Sequence, residues 1–441
     1  MVHVIPFRAY RYDKAKVGDL SKVVAPPYDV IKDKMVDTLQ SLSPYNMAWI
    51  SKSKPTESDT DSDNQHTRAR DIWRKWLKEG VVKQDSKECF YVYGHDFQVE
   101  GKKMFRFGFI GLLELEEFAK EPPISAPFTG VLQHEETLPK DIMDRLNLCR
   151  QTMTQFGLIF VIYPDPKREV DSILERYIKN QPVVDVTDLE GVRHRIWLVD
   201  NQADTKRISE LMSNKYVIIA DGHHRYKTAL ALSKENPSLA SAKYRMLTFV
   251  NMANPGLVIL PTHRLVQNLE SFSRQKLLDG IKQNFDVREL KTKNEMLALM
   301  KKEAKRHAFG MFMNDGRFYV LLLKDISAMD KAVVGKSPAW KHLDVSILHS
   351  LILDKVLGIG KEKLAQGTMK GEGYVLYIKD VGDAVDEAIR SVKERAQVLF
   401  LINAPRVEEV EDVSRNFEVM PQKSTFFAPK CGDGYTMNRL T

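Results

Sequence analysis

Five consecutive residues, Asp221-Gly222-His223-His224-Arg225, gather more chemistry than any other short stretch of the chain. They follow Tyr216-Val-Ile-Ile-Ala220, a β-branched run that reads as a strand. They precede Tyr226, Ala229, Leu230 and Leu232, whose spacing begins an amphipathic helix. A strand that turns through glycine into a helix presents the helix's unbonded N–H groups, and these favour anions. Gly222 permits close backbone approach. His223 and His224 add donors, and Arg225 can grip a phosphate through two parallel hydrogen bonds. Asp221 stands where it can hold a divalent metal or accept a proton. Stability alone does not ask for this pattern, because each cation in a first helical turn opposes the helix dipole by roughly 0.3–1 kcal/mol.

Four further clusters carry reactive or binding side chains. His134-Glu135-Glu136-Thr137 lacks the HExxH spacing of a zinc protease. A histidine beside glutamates still supplies a base or a ligand, and a solvated acidic loop explains the same residues. Asp144-Arg145, a little downstream, reads equally well as a surface pair. Pro261-Thr262-His263-Arg264 follows an apolar strand, at the end where open α/β sheets put ligands. In Ala25-Pro26-Pro27-Tyr28-Asp29 two prolines fix a rigid turn that positions Tyr28 and Asp29. Met420 to Lys430, with Lys423, Ser424 and two phenylalanines, suits either a flap over a site or a docked tail.

The elements that must hold these residues follow from the pattern around them. At 441 residues the chain exceeds one ordinary core, so two or three packed units are expected. Ile72, Trp73, Trp76 and Leu77 fall on one face of a helix that ends at Gly80. Phe90 to Tyr93 and Phe105 to Leu115 read as strands joined by a Glu100-Gly101-Lys102 turn. Phe156 to Tyr163, Arg195 to Val199 and Arg245 to Asn251 extend the sheet. Beyond residue 268, helices at 273–284 and 293–306 alternate with a hairpin around Asn314-Asp315-Gly316. A strand–helix–strand unit spans 374–403, and the tail from 420 reads as irregular.

Composition narrows the function classes. Hydrophobic content of 43% and charged content of 28% are those of a globular chain. No apolar run reaches the roughly 18–20 residues of a membrane span. No apolar segment follows a basic start at the N-terminus, so a cytoplasmic protein is expected. Cys89, Cys149 and Cys431 form neither a CxxC pair nor a disulfide framework. The formal charge of +7 is mild at this length and carries no arginine-rich block. Nucleic acid is therefore not expected as a partner, whereas a phosphorylated small molecule or a nucleotide suits the field.

Taken in order, APPYDVI at 25–31, HEET at 134–137, DR at 144–145, ADGHHRYKTAL at 220–230, LPTHR at 260–264, LDVSILH at 343–349 and MPQKSTFFAPK at 420–430 resemble the family known as domain of unknown function 1015. The DGHHR segment is also similar to the motif of the ParB/sulfiredoxin superfamily, which includes ParB segregation proteins, sulfiredoxin and free-serine kinases. The resemblance implies an α+β fold. Residues 1–265 would form a ParB/sulfiredoxin-like domain with insertions, and 266–441 one or two smaller α/β units.

The resemblance further implies a free-serine-kinase-like phosphotransferase that uses ATP or ADP with Mg²⁺ and forms phosphoserine. Gly222, His223, His224, Arg225, His263 and Arg264 would then bind nucleotide or phosphate, and Asp221 the metal. Glu135, Asp221 and His223 are the catalytic candidates. Tyr28, Asp29, His134, Thr137, Arg145, Lys423 and Ser424 would face the acceptor. No GxxxxGK[ST] loop or protein-kinase motif set is present, so neither of those frameworks applies. Two alternatives stay open: a non-catalytic nucleotide switch of ParB type, and a phosphate-ester hydrolase using His223 or His224.

Overall fold

A computed structural model describes residues 2–121, 128–136, 139–366 and 373–441; of these, the side chains of 139–141 and 365–366 are left aside. The chain divides into two compact units. The first holds Met1–Gln133, Thr137–Val258 and Pro429–Thr441, and the second His134–Glu136 and Ile259–Ala428. Both mix strands and helices, so the molecule is α+β with several sheets and helical insertions.

The first unit is built on a nine-stranded mixed sheet. Its longest pair, Phe90–Val99 and Lys102–Glu114, is an antiparallel hairpin. The turn between them has Glu100 at φ 49° and Gly101 at φ 75°, the two left-handed residues a tight hairpin turn uses. Tyr244–Asn251 runs beside Lys102–Glu114, and Ile159–Tyr163 lies parallel to it on the other side. Tyr216–Asp221 then pairs antiparallel with Ile159–Tyr163. Ile159–Tyr163 is buried at every position, as expected of a strand covered on both faces.

Helices Glu169–Ile178 and Gln202–Ser213 bury Val170, Leu174, Ile208 and Met212 against this sheet, in one core with Phe109, Val161 and Phe249. A second core gathers around the insertion of helices Asp33–Leu42 and Gln65–Glu79. Trp73 and Trp76 are fully buried there, with the Trp73 ring edge-on to Phe156 at 5.0 Å. Gly80, left-handed at φ 67°, closes the helix where the sequence pattern ends it.

The tail is largely irregular in backbone and docked: Cys431 to Asn438 is buried at every residue and belongs to the first unit. Ala25 and Asp433 form an isolated β-bridge, with N–H···O distances of 3.1 and 2.8 Å. Met437 bridges Tyr10 in the same way. The local sequence is polar and rich in glycine, so hydrophobic period cannot reveal a segment threaded through a core.

In the second unit a six-stranded sheet carries helices Lys293–Lys302 and Ala384–Glu394 on its apolar face. Val375–Lys379 and Val398–Leu401 are the strands of the expected strand–helix–strand unit, and Thr262–Val266 is wedged antiparallel between them. Lys293–Lys302 begins with a capping box, Thr292 and Glu295 each bonding the other's backbone N–H at 3.2 Å. Thr292→Ala is expected to cost about 1 kcal/mol. It should appear as a lower urea midpoint with an unchanged slope.

Candidate functional site

The strand Tyr216–Asp221 passes through Gly222 into helix His223–Glu235, which opens three residues before the first apolar position of its spacing, Tyr226. Gly222 has φ 96°, which an L side chain rarely adopts, and a Cβ there would lie 3.1 Å from Arg225 Nε. The glycine thus lets the Arg225 side chain curl back beneath the turn. His223 and Arg225 are buried and His224 is half-buried, so the three side chains do not share one exposed face.

Two cations converge on Asp221. Lys430 Nζ bonds Oδ1, and Arg225 Nη2 bonds Oδ2 at 2.7 Å. Burial alone would raise the Asp221 carboxyl, but Lys430 and Arg225 override it and hold the group well below the usual carboxylate range. The same contacts act on the cations. Burial works to lower Lys430 and Arg225, and Asp221 with Asp29 raises both on balance. Lys430 and Arg225 thus stand at the turn between the carboxylates of Asp221 and Asp29.

Three sequence motifs meet here. Tyr28 lies under the Arg145 guanidinium at 4.2 Å from ring centroid to Cζ, with Arg225 at 6.0 Å, both within cation–π range. Arg145 is no surface pair: it is largely buried, donates to Asp144 from Nε at 2.8 Å, and to the Ser51 carbonyl from Nη1 at 2.7 Å. Asp29 is exposed and acts on Arg225 and Lys430 through charge.

Lys430, Asp433 and Arg245 were not singled out in the sequence. Lys430 ends the MPQKSTFFAPK stretch and was within reach. Asp433 lies in a Gly-Asp-Gly sequence that reads as a turn, and Arg245 opens a strand, so neither carries a local signal. Burial pushes the Asp433 carboxyl up to about 7, against the pull of Arg225, Arg145 and Arg245. Burial also lowers Arg245 to about 10. Cys431, beside this cluster, is pushed up to about 11 by burial and is no nucleophile at neutral pH.

The remaining expected residues lie in the second unit. Arg264 is fully buried, donating from Nε to His349 Nε2 at 3.0 Å, from Nη1 to the Thr262 carbonyl, and from Nη2 to the Lys423 carbonyl at 3.1 Å. The Tyr377 ring covers it at 4.7 Å. His263 is buried and its Nδ1 accepts the Ile402 N–H at 3.2 Å. His134 Nε2 pairs with Thr425 Oγ1 at 2.7 Å, and Glu135 accepts the Lys423 N–H at 3.3 Å. The Ser424 hydroxyl donates to the Pro421 carbonyl. The HEE, LPTHR, LDVSILH and MPQKST segments are thereby tied to one another. Thr137 lies outside the described residues.

The donor set does not build a protein-held metal centre. Both Asp221 oxygens face cations. Among the described residues, no group of three or more His, Cys, Asp or Glu gathers as metal ligands would.

The chain belongs to the DUF1015 family, described as a protein of unknown function, whose pattern matches residues 4–346. No curated protein matches it in sequence. Solved structures give a loose likeness. A free serine kinase variant in complex with ADP is similar over 70% of this chain and 88% of its own, at 10% identity and a TM-score of 0.35. A conserved hypothetical protein from Pyrococcus furiosus aligns over 69% and 90%, at 12% identity and 0.33. SbnI from Staphylococcus aureus, truncated at its C-terminus, aligns over 68% and 81%, at 11% identity and 0.32. A likeness this loose carries no argument about activity. Among the described residues, no helix is long and apolar enough to cross a membrane.

Proposed function

We propose that the protein is a nucleotide-dependent phosphotransferase acting on a small hydroxyl-bearing acceptor, foremost free serine, and that its first unit is a variant of the ParB/sulfiredoxin-like fold. The observation that carries this reading is the Asp221–Lys430–Arg225 constellation at a glycine turn opening a helix. Phosphoryl transfer asks a protein mainly for positioning and charge neutralisation. Lys430 and Arg225 supply the charge. Asp221, held ionised by them, is too weak a base to take a hydroxyl proton and serves to orient both cations.

In the transfer, the acceptor oxygen bonds to the terminal phosphorus as the bond to the nucleotide's bridging oxygen breaks. The hydroxyl proton passes to a carboxylate. His224, half-buried in the first helical turn, and the helix N–H groups add donors to the phosphates. Mg²⁺, when bound to a nucleotide, would supply positive charge on the phosphates, and both Asp221 oxygens are already engaged by Lys430 and Arg225.

³¹P NMR of the protein with Mg²⁺, ATP or ADP, and a pool of amino acids tests the proposal. A new phosphomonoester that requires serine and disappears in Asp221→Asn is the expected result. Intact nucleotide with tight calorimetric binding would instead indicate a ParB-type switch. Free phosphate formed without an acceptor would indicate a hydrolase.

A further inference from the structure

Beside Arg225 in the first unit lies a pocket of about 50 Å³, lined in part by Tyr28, Arg145, Gly157, Arg225, Arg245 and Asp433. That is room for a handful of water molecules or one small polar molecule, and far too little for a nucleotide. Its two most deeply buried charges are Arg245, 4% exposed, and Asp433, 2% exposed.

Neither is satisfied by the protein. Arg245 gives one N–H to the Gly157 carbonyl, while its Nε and Nη1 have no partner among the described residues; Asp433 Oδ1 has none either. Leaving buried charged groups short of hydrogen bonds costs several kcal/mol, so the pair makes physical sense as half of an interaction. Two features hold the arrangement open. The β-bridge between Ala25 and Asp433 fixes the aspartate's backbone. Gly157 keeps a side chain off its carboxylate, since a Cβ there would stand 2.7 Å from Asp433 Oδ1 and 3.3 Å from Arg225 Nη1.

A ligand that completes both groups must accept from a guanidinium and donate to a carboxylate within a few heavy atoms. We infer that this pocket binds a short amino or hydroxy acid, its carboxylate on Arg245 and its ammonium or hydroxyl donating to Asp433. Calling that ligand the phosphoryl acceptor rests on the function proposed above; the binding itself does not.

Calorimetric titration with L-serine, glycine, glycolate and acetate, without nucleotide, tests it. At least one of the first three should bind at millimolar concentration or below, and acetate, which lacks the donor, about tenfold more weakly or worse. Asp433→Asn should weaken binding by about tenfold or more, and Gly157→Ala should abolish it, each with the circular-dichroism spectrum of the parent. Absence of binding by all three, or binding indifferent to both substitutions, overturns the inference. If binding and its loss are seen while no nucleotide supports transfer, the pocket stands and the phosphotransferase falls. If phosphoserine forms equally well in both variants, the transferase stands and this pocket is not its acceptor site.

Discussion

Asp221→Ala is expected to cost the folded state about 3–5 kcal/mol at neutral pH, because it leaves Lys430 and Arg225 facing each other with no anion between them. Asp221→Asn keeps an acceptor and should cost less. The pH dependence has a definite sign. The folded-state carboxyl is held below its ordinary value, so its contribution is complete above about pH 4. It fades as the pH falls through the folded value. Urea titrations of parent and Asp221→Ala should therefore differ most at pH 7 and converge in acid. A difference below about 1 kcal/mol at pH 7 would mean that the three groups behave as a surface cluster.

Asp433→Asn should act in the opposite direction. The Asp433 carboxyl is raised to about 7 by burial, although Arg225, Arg145 and Arg245 act to lower it and Asp29 adds to the rise. A raised acid binds protons more tightly in the folded state, so it weakens the fold progressively as pH climbs from about 4 to 7. The penalty is complete once the folded-state carboxyl is ionised. Asp433→Asn should accordingly be more stable than the parent at pH 8, and nearly equal to it at pH 4 to 5. Thermal melts of both proteins at the two pH values check this, and a destabilised variant at pH 8 would falsify the account. Stability gained by removing a group that binds ligand is the usual trade-off at a functional site.

Much of the first unit is legible in the sequence because its signals are local. Glu100-Gly101 marks a hairpin, and Gly222 marks the strand-to-helix turn. The spacing of Trp73 and Trp76 gives the buried face of a helix. Part of the site is legible for the same reason: Tyr28, Arg145 and Arg225 each sit in a recognisable cluster, and they meet in one place. What local pattern cannot convey is pairing between distant segments. The ion pair from Lys430 to Asp221, and the bridge from Asp433 to Ala25, leave no period in either partner's surroundings. Nor does a composition of histidines and arginine tell which side chains turn inward. Arg225 does so because Gly222 makes room and the Leu158 carbonyl receives it.

The bridge between Ala25 and Asp433 also has a consequence for synthesis. Tyr28 leaves the ribosome well before Asp433, on the order of 20–80 s earlier at ordinary elongation rates. The strands and helices of the first unit can begin to pack before then, but the walls supplied by Lys430 and Asp433 cannot. Any activity that depends on them is withheld until synthesis has passed Asp433, and a nascent chain stalled before Lys430 has the scaffold without its site.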